Sequence, residues 1–290
     1  MSIISTMLEL TRTVRFCLNG LDPSRSRVEG EDERGNPPAT ARNGYAGHPP
    51  MRGLGRYYEL HVRCAGETDP VTGYFMNIRE IDRATRRHVL PCLENLLDTT
   101  RPSSTIPMGT LMRRILELLQ PPLQHTVTEA TLQLTPFHNL SIRKHNMDTV
   151  TIRQHYEFAA AHRLHVPTFT DQRNREVFGK CNNPSGHGHN YELEVAVSAT
   201  IDRQGRVLRV EDLDAAVLEH VIEKLDHKHL NHDVPQFADL NPSVENIARV
   251  IFEMLTEPLA RVGVALEEVS VWETRKTRCT YRRPLTADPT

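Results

Sequence analysis

The spacing of hydrophobic residues changes several times along the chain, and each change marks an element. Residues 152–160 and 191–200 alternate or run β-branched, as strands do. From Asp212 to Leu225 the apolar residues fall at Leu213, Val217, Val221 and Leu225, a helical stripe. Ser243 stands at an N-cap position before a second stripe of Ile247, Val250, Ile251 and Met254, which predicts another helix. Val264 to Glu273 and Cys279 to Arg283 return to strand patterns. The order strand, strand, helix, helix, strand, strand predicts an α+β layer, an antiparallel four-stranded sheet with two helices on one face.

The first half repeats this order. Gly55-Arg-Tyr-Tyr-Glu-Leu-His-Val62 resembles Gly188-His-Asn-Tyr-Glu-Leu-Glu-Val195, and Thr72 to Asp82 resembles Gln204 to Asp214, at offsets of 133 and 132 residues. Leu116-Glu-Leu-Leu-Gln-Pro-Pro-Leu123 matches Phe252-Glu-Met-Leu-Thr-Glu-Pro-Leu259. Three matches in order predict a unit duplicated in tandem, residues 1–147 and 148–290. Asp22 to Pro50 is rich in Pro, Gly, Ser and charge, and reads as a long mobile loop.

Composition narrows the class. The 290 residues are 38% hydrophobic and 25% charged, enough to bury a real core. A formal net charge of −2 gives no bulk attraction to nucleic acid or to an anionic membrane, and neither partner is expected. No stretch approaches the roughly 20 apolar residues that span a bilayer. Met1 to Leu10 is too short and polar-interrupted for a secretory leader. Five scattered cysteines without Cys-x-x-Cys pairing predict reduced thiols and a cytoplasmic location.

Candidate chemistry gathers in the second half. In Gly186-His187-Gly188-His189-Asn190-Tyr191 the two histidines are two apart on a strand, so both imidazoles share one face. His162, near the end of the preceding strand, can supply a third nitrogen. Three protein ligands with an open position describe a catalytic zinc, one per chain, rather than a structural one. The bland alternative is that these are surface or capping histidines among the chain's 15.

A family resemblance supports the sharper reading. It is carried by Phe158-Ala-Ala-Ala-His162-Arg-Leu, by Phe178-Gly-Lys-Cys181-Asn-Asn-Pro-Ser-Gly-His187-Gly-His189-Asn-Tyr191, and by Leu225-Asp226-His227-Lys-His-Leu-Asn231. Ser243-Val-Glu245-Asn246 and Val271-Trp-Glu273-Thr274 complete it. Over about residues 150–283 the chain resembles the 6-pyruvoyl-tetrahydropterin synthase family and its relative 6-carboxytetrahydropterin synthase, of queuosine biosynthesis. The resemblance implies the tunnelling fold (T-fold) and 7,8-dihydroneopterin triphosphate as substrate. It also implies a lyase that eliminates triphosphate and rearranges the side chain, and a homo-oligomer with active sites between subunits.

By the same resemblance, Cys181 is the proton-shuttling thiol, and Asp226 with His227 is the supporting pair. Glu273 anchors the pterin ring, with two oxygens suited to parallel hydrogen bonds. Glu245 is a weaker substrate-binding candidate that reads equally well as a helix-start residue. His229 and His232 read as structural or solvated. The five residues between Cys181 and His187 suit the pyruvoyl branch, but Phe-Ala-Ala-Ala-His lacks the serine often found there, so the product stays open.

Laid on the second unit, the first places Gly20 at His162, Leu54 at His187, Arg56 at His189, Glu94-Asn95 at Asp226-His227 and Leu134 at Glu273. Every position carrying chemistry is changed, which predicts a non-catalytic first unit. The competing functions are a pterin or purine sensor that keeps zinc without turnover, and a zinc hydrolase. Cys181, Asp226 and His227 together speak against the sensor, and the lack of a positioned general-base glutamate speaks against the hydrolase.

Overall fold

The computed structural model describes residues 8–19, 43–96 and 106–283. Gly20, and residues 22–42 of the expected mobile loop, lie outside them. Residues 43–50 form successive turns, with the Gly47 amide donating to the Gly44 carbonyl at 3.0 Å. The chain divides into two compact units, residues 1–151 with 200–207, and residues 152–199 with 208–290.

The first unit runs β1 (Leu8–Leu18), β2 (Arg56–Gly66), α1 (Ile78–Ala84), a π-helical turn (Thr85–Val89), α2 (Leu90–Leu96), α3 (Met108–Leu119), β3 (Val127–Thr135) and β4 (His138–Arg143). Its strands pair antiparallel in the order β1-β2-β3-β4. Alternation puts Val14 and Phe16 of β1 and Leu60, Val62 and Cys64 of β2 in the core. Helix α3 lays Leu111, Met112, Ile115, Leu116 and Leu119 on β3 and β4. Each such side chain removed from water stabilises the unit by about 1.5–3 kcal/mol.

The second unit contains β5 (Asn146–His162), which starts at the end of the first. It continues through α4 (Asp171–Phe178), a 3₁₀ turn (Gly179–Asn182), β6 (His187–Thr200), α5 (Val210–Val217) and a π-helical turn (Leu218–Ile222). Then come α6 (Glu223–Leu225), β7 (Lys228–His229), α7 (Leu230–Asp233), α8 (Val244–Arg261), β8 (Val264–Thr274) and β9 (Thr277–Arg282). The strand order is β5-β6-β8-β9. Helix α8 packs on β8 and β9, capped by Ser243, whose hydroxyl accepts from the Asn246 amide.

Two expectations are corrected. Four strands per unit would give eight, but nine are found among the described residues. The ninth is the two-residue β7, which runs parallel to β5. It is too short to show any period in the sequence. The stripe from Asp212 to Leu225 is also not one α-helix. It is interrupted by the π turn at Leu218–Ile222, a one-residue widening that leaves the apolar spacing nearly unchanged.

Both units carry the same irregularities. The helix that follows the second strand of each unit, α1 and α5, runs into a π turn. Register shifts fall at Arg63/Cys64 between β2 and β3 and at Ala196/Val197 between β6 and β8. Others fall at Gln133/Thr135 and at Trp272/Thr274, between the last two strands of each unit. Arg143 Nε bonds Glu129 Oε2 at 2.8 Å, and Arg282 Nε bonds Glu268 Oε2 at 2.8 Å. Asp82 on α1 takes Arg12 through two bonds of 2.9 and 2.8 Å, while Asp214 on α5 takes the Tyr156 hydroxyl at 2.9 Å.

Candidate metal centre and the adjoining cleft

β5 ends on His162 and β6, its neighbour in the sheet, begins on His187, so two adjacent strand ends deliver their imidazoles together. The alternation of β6 adds His189 on the same face. His162, His187, His189 and Glu273 each offer a ligand atom, and these atoms all lie within 4.8 Å of one another.

The histidine orientations follow from their partners. His162 is fully buried, and its Nδ1 lies 2.7 Å from the carbonyl oxygen of Pro242, just ahead of α8. A carbonyl only accepts, so Nδ1 carries the proton and the Nε2 lone pair points into the cluster. There Nε2 stands 3.1 Å from His187 Nε2 and 3.2 Å from Glu273 Oε1, which is also 3.4 Å from His189 Nε2. His187 Nδ1 and His189 Nε2 are buried without a hydrogen-bond partner. Buried unpaired nitrogens cost about 1–3 kcal/mol each. A cation among these atoms would satisfy the facing nitrogens together, so the donor set fits a transition-metal ion.

Electrostatics agree with that fit. Burial, and then the neighbouring imidazoles, hold His187 below its ordinary pKa. Burial lowers His189 as well, against the pull of Glu273. Both are thereby kept in the neutral form that ligates. A hydrogen bond from His162 and the imidazole charges bring the Glu273 carboxyl below the usual range despite its partial burial.

Glu273 therefore lies inside the histidine cluster, at contact distance from two of its rings. Glu245 is exposed in the first turn of α8, where its negative charge acts on the Cys279 thiol, which is raised first by burial. It is not among the grouped ligand residues.

Cys181 sits half-buried on the 3₁₀ turn before β6, and its carbonyl accepts from the Leu164 amide at 2.9 Å. That bond ties the turn to the chain two residues past His162. Tyr191 is fully buried and stacks on Phe158 with ring centroids 4.9 Å apart. Burial, and then the charge of Glu273, push its hydroxyl pKa up.

Asp226 and His227 form the expected pair, with His227 Nδ1 2.7 Å from Asp226 Oδ2. The other oxygen of Asp226 accepts from the Ala159 amide at 2.8 Å, and the His227 amide donates to the Ala159 carbonyl at 2.6 Å. Those bonds, led by the one from Ala159, hold the Asp226 carboxyl below its usual pKa. They also hold His227 at φ 56°, a left-handed conformation unfavourable for a side chain with a Cβ. The ring itself is 83% exposed. It overlooks a cleft of about 650 Å³ shared with Gly188, His189, Lys228, His229 and Asp233. Cys181 is not among the described residues that line this cleft.

Sequence reasoning passed over three contributors. The Pro242 carbonyl sets the His162 tautomer, and no side-chain pattern could reveal it. The Tyr191 hydroxyl lies 3.5 Å from His162 Nδ1, although its place in the motif was visible. His229, expected to be structural or solvated, lines the cleft with a buried unpartnered Nδ1 and a ring 4.3 Å from that of His232.

Comparison with known proteins gives a consistent picture. The family model described as 6-pyruvoyl tetrahydropterin synthase matches residues 151–284. A 6-pyruvoyl tetrahydrobiopterin synthase of Drosophila melanogaster is 44% identical over 128 residues, covering 44% of this chain and 76% of the relative. A 6-carboxy-5,6,7,8-tetrahydropterin synthase of Haemophilus influenzae is 27% identical over 125 residues, covering 36% of this chain and 85% of its own. Among solved structures, the Caenorhabditis elegans 6-pyruvoyl tetrahydropterin synthase is 36% identical with a TM-score of 0.44, covering 47% of this chain and 96% of that one.

Proposed function

The chain belongs to the 6-pyruvoyl tetrahydropterin synthase family, and we propose that its second unit is a zinc-dependent lyase acting on 7,8-dihydroneopterin triphosphate. The observation that carries this reading is the convergence of three imidazoles and a carboxylate on one point, with the His162 tautomer fixed by Pro242. His162, His187 and His189 would hold the ion, with Glu273 beside them. When bound, zinc supplies a Lewis acid that makes side-chain carbon-bound protons of the substrate more acidic.

The chain's own residues then move those protons. His227 is a general acid–base at the cleft mouth, its tautomer and orientation set by the Asp226 carboxylate. Cys181 is the second proton carrier, on the side of the cluster defined by the turn before β6. Glu273 has its carboxylate held ionised and would accept from the pterin's N–H edge. The pyruvoyl product is favoured by the five residues between Cys181 and His187 and by the 44% identity to the fly relative.

A working site that draws Cys181 and His227 from different chains of a homo-oligomer is supported by the absence of Cys181 from the described residues lining the His227 cleft of its own chain. The first unit is a degenerate copy that keeps the fold and lacks the metal ligands. The shared strand order, π turns and bulge positions support that reading.

The purified protein should convert dihydroneopterin triphosphate to a new pterin identified by mass spectrometry. Cys181→Ala and His227→Ala should each be inactive with zinc retained, and mixing the two variants should restore part of the activity. Unchanged substrate with zinc-loaded wild-type protein would refute the lyase and favour a sensor.

A further inference from the structure

At the strand end where the second unit gathers its histidines, the first unit has a cavity of about 240 Å³. Its walls include Leu18 of β1, Leu93 of α2, Leu111 of α3, and Leu132 and Leu134 of β3. The matching positions are close. Leu134 occupies the place of Glu273, Arg56 that of His189, and Tyr58, which also lines the cavity, that of Tyr191. The aromatic packing is retained too, with Phe16 and Tyr58 centroids 6.1 Å apart where the second unit has Phe158 on Tyr191. Two of the positions that match cluster residues, Arg56 and Leu134, thus line an apolar pocket.

Two features give the pocket a sign. Arg56 is exposed at its edge, and among the described residues no ion pair engages it. Helix α3 begins at the pocket through Ile106, Met108 and Leu111. Its N-cap is Pro107, which makes no side-chain cap, and its first turn has no acidic residue. The matching helix α8 has both a serine cap and Glu245. Among the described residues, nothing acidic in the first turn of α3 offsets the positive end of its dipole, and Arg56 lines the same pocket.

We propose that this pocket of the first unit binds a small carboxylic acid with a hydrocarbon body. The body replaces water against the leucines, and the carboxylate meets Arg56 and the start of α3. The volume suits about ten non-hydrogen atoms, below the range of drug-sized sites. An eight-carbon straight chain matches that size. The lyase reading is not needed for this inference, which rests on the first unit alone.

The test uses the full-length chain, titrated calorimetrically with sodium octanoate and, as an uncharged counterpart, 1-octanol. Octanoate should bind saturably, one per chain, and Arg56→Gln should weaken it about tenfold, the loss of one charge-assisted contact. Octanol should bind more weakly and be indifferent to Arg56→Gln. Leu134→Glu, which restores the acidic residue of the twin position, should abolish octanoate binding. Arg56 is exposed, so its variant should fold normally, keeping wild-type metal content and pterin turnover. The proposal is overturned if wild-type protein shows no saturable octanoate binding, or if Arg56→Gln binds it as wild type does.

Discussion

At the start of β6 stand His187 and His189, while at the matching end of β2 stand Leu54, fully exposed, and Arg56. On β8 stands Glu273, and on β3 stands Leu134. The strand order, the π turn after α1 and after α5, the two bulges and the Arg–Glu pair on the last strands are common to both units. The features that persist are those that shape the sheet and seat the helices. The histidine cluster at the strand ends of the second unit thus sits on a pattern of strands, π turn and bulges that the first unit has without it.

That contrast can be broken most forcefully at the ligands. His162→Ala removes the fully buried imidazole and leaves His187 Nε2 without its facing nitrogen. Zinc and turnover should both fall to background in a combined metal and activity assay. A chain that stays active would mean that the cluster does not drive the reaction.

The next effect is confined to chemistry. His227→Ala should lower kcat by about 10²–10⁴-fold, the usual contribution of a positioned acid–base, with zinc content unchanged. Asn95→Ala, at the matching place in the first unit, should leave kcat as it was. Equal losses from both would make the effect structural.

A smaller effect sharpens the structural half of the comparison. Arg12→Ala breaks a two-pronged tie from β1 to Asp82 and should cost about 1–3 kcal/mol. Tyr156→Phe breaks the single bond to Asp214 and should cost about 1 kcal/mol. Denaturant midpoints of the two variants measure both, and a Tyr156→Phe loss exceeding that of Arg12→Ala would contradict the assigned roles.

The smallest effect is a pH dependence of the first unit. Burial, then the charge of Arg86, lowers His48, and burial lowers His61 against Glu59. Depressed imidazole values mean that the unfolded chain takes up protons first. Their contribution to stability is present above the ordinary imidazole pKa of about 6.5 and is lost as pH falls through the folded-state values. His48→Gln should flatten the decline in melting temperature below that pH, and an unchanged profile would remove His48 from the explanation.

Much of this was legible in the sequence because it depends on local pattern. Strand alternation from Tyr191 to Thr200, the Ser243 cap and the three histidines follow from side-chain order alone, and the structure brings those histidines together. What escaped depends on contacts between distant segments. The Pro242 carbonyl acts through its backbone on a residue 80 positions away. Strand β7 exists only because Lys228 and His229 meet β5. The π turns hide inside helical stripes whose spacing they barely disturb, and the nearness of Glu273 to His162 and His189 requires the β6–β8 register.

The metal count per chain is the most direct test of the difference between the units. Elemental analysis of the purified full-length protein should find one zinc in wild type, none in His187→Ala, and one in Arg56→Gln. Two zinc ions per wild-type chain, or one retained after His187→Ala, would contradict a single centre at the strand ends of the second unit.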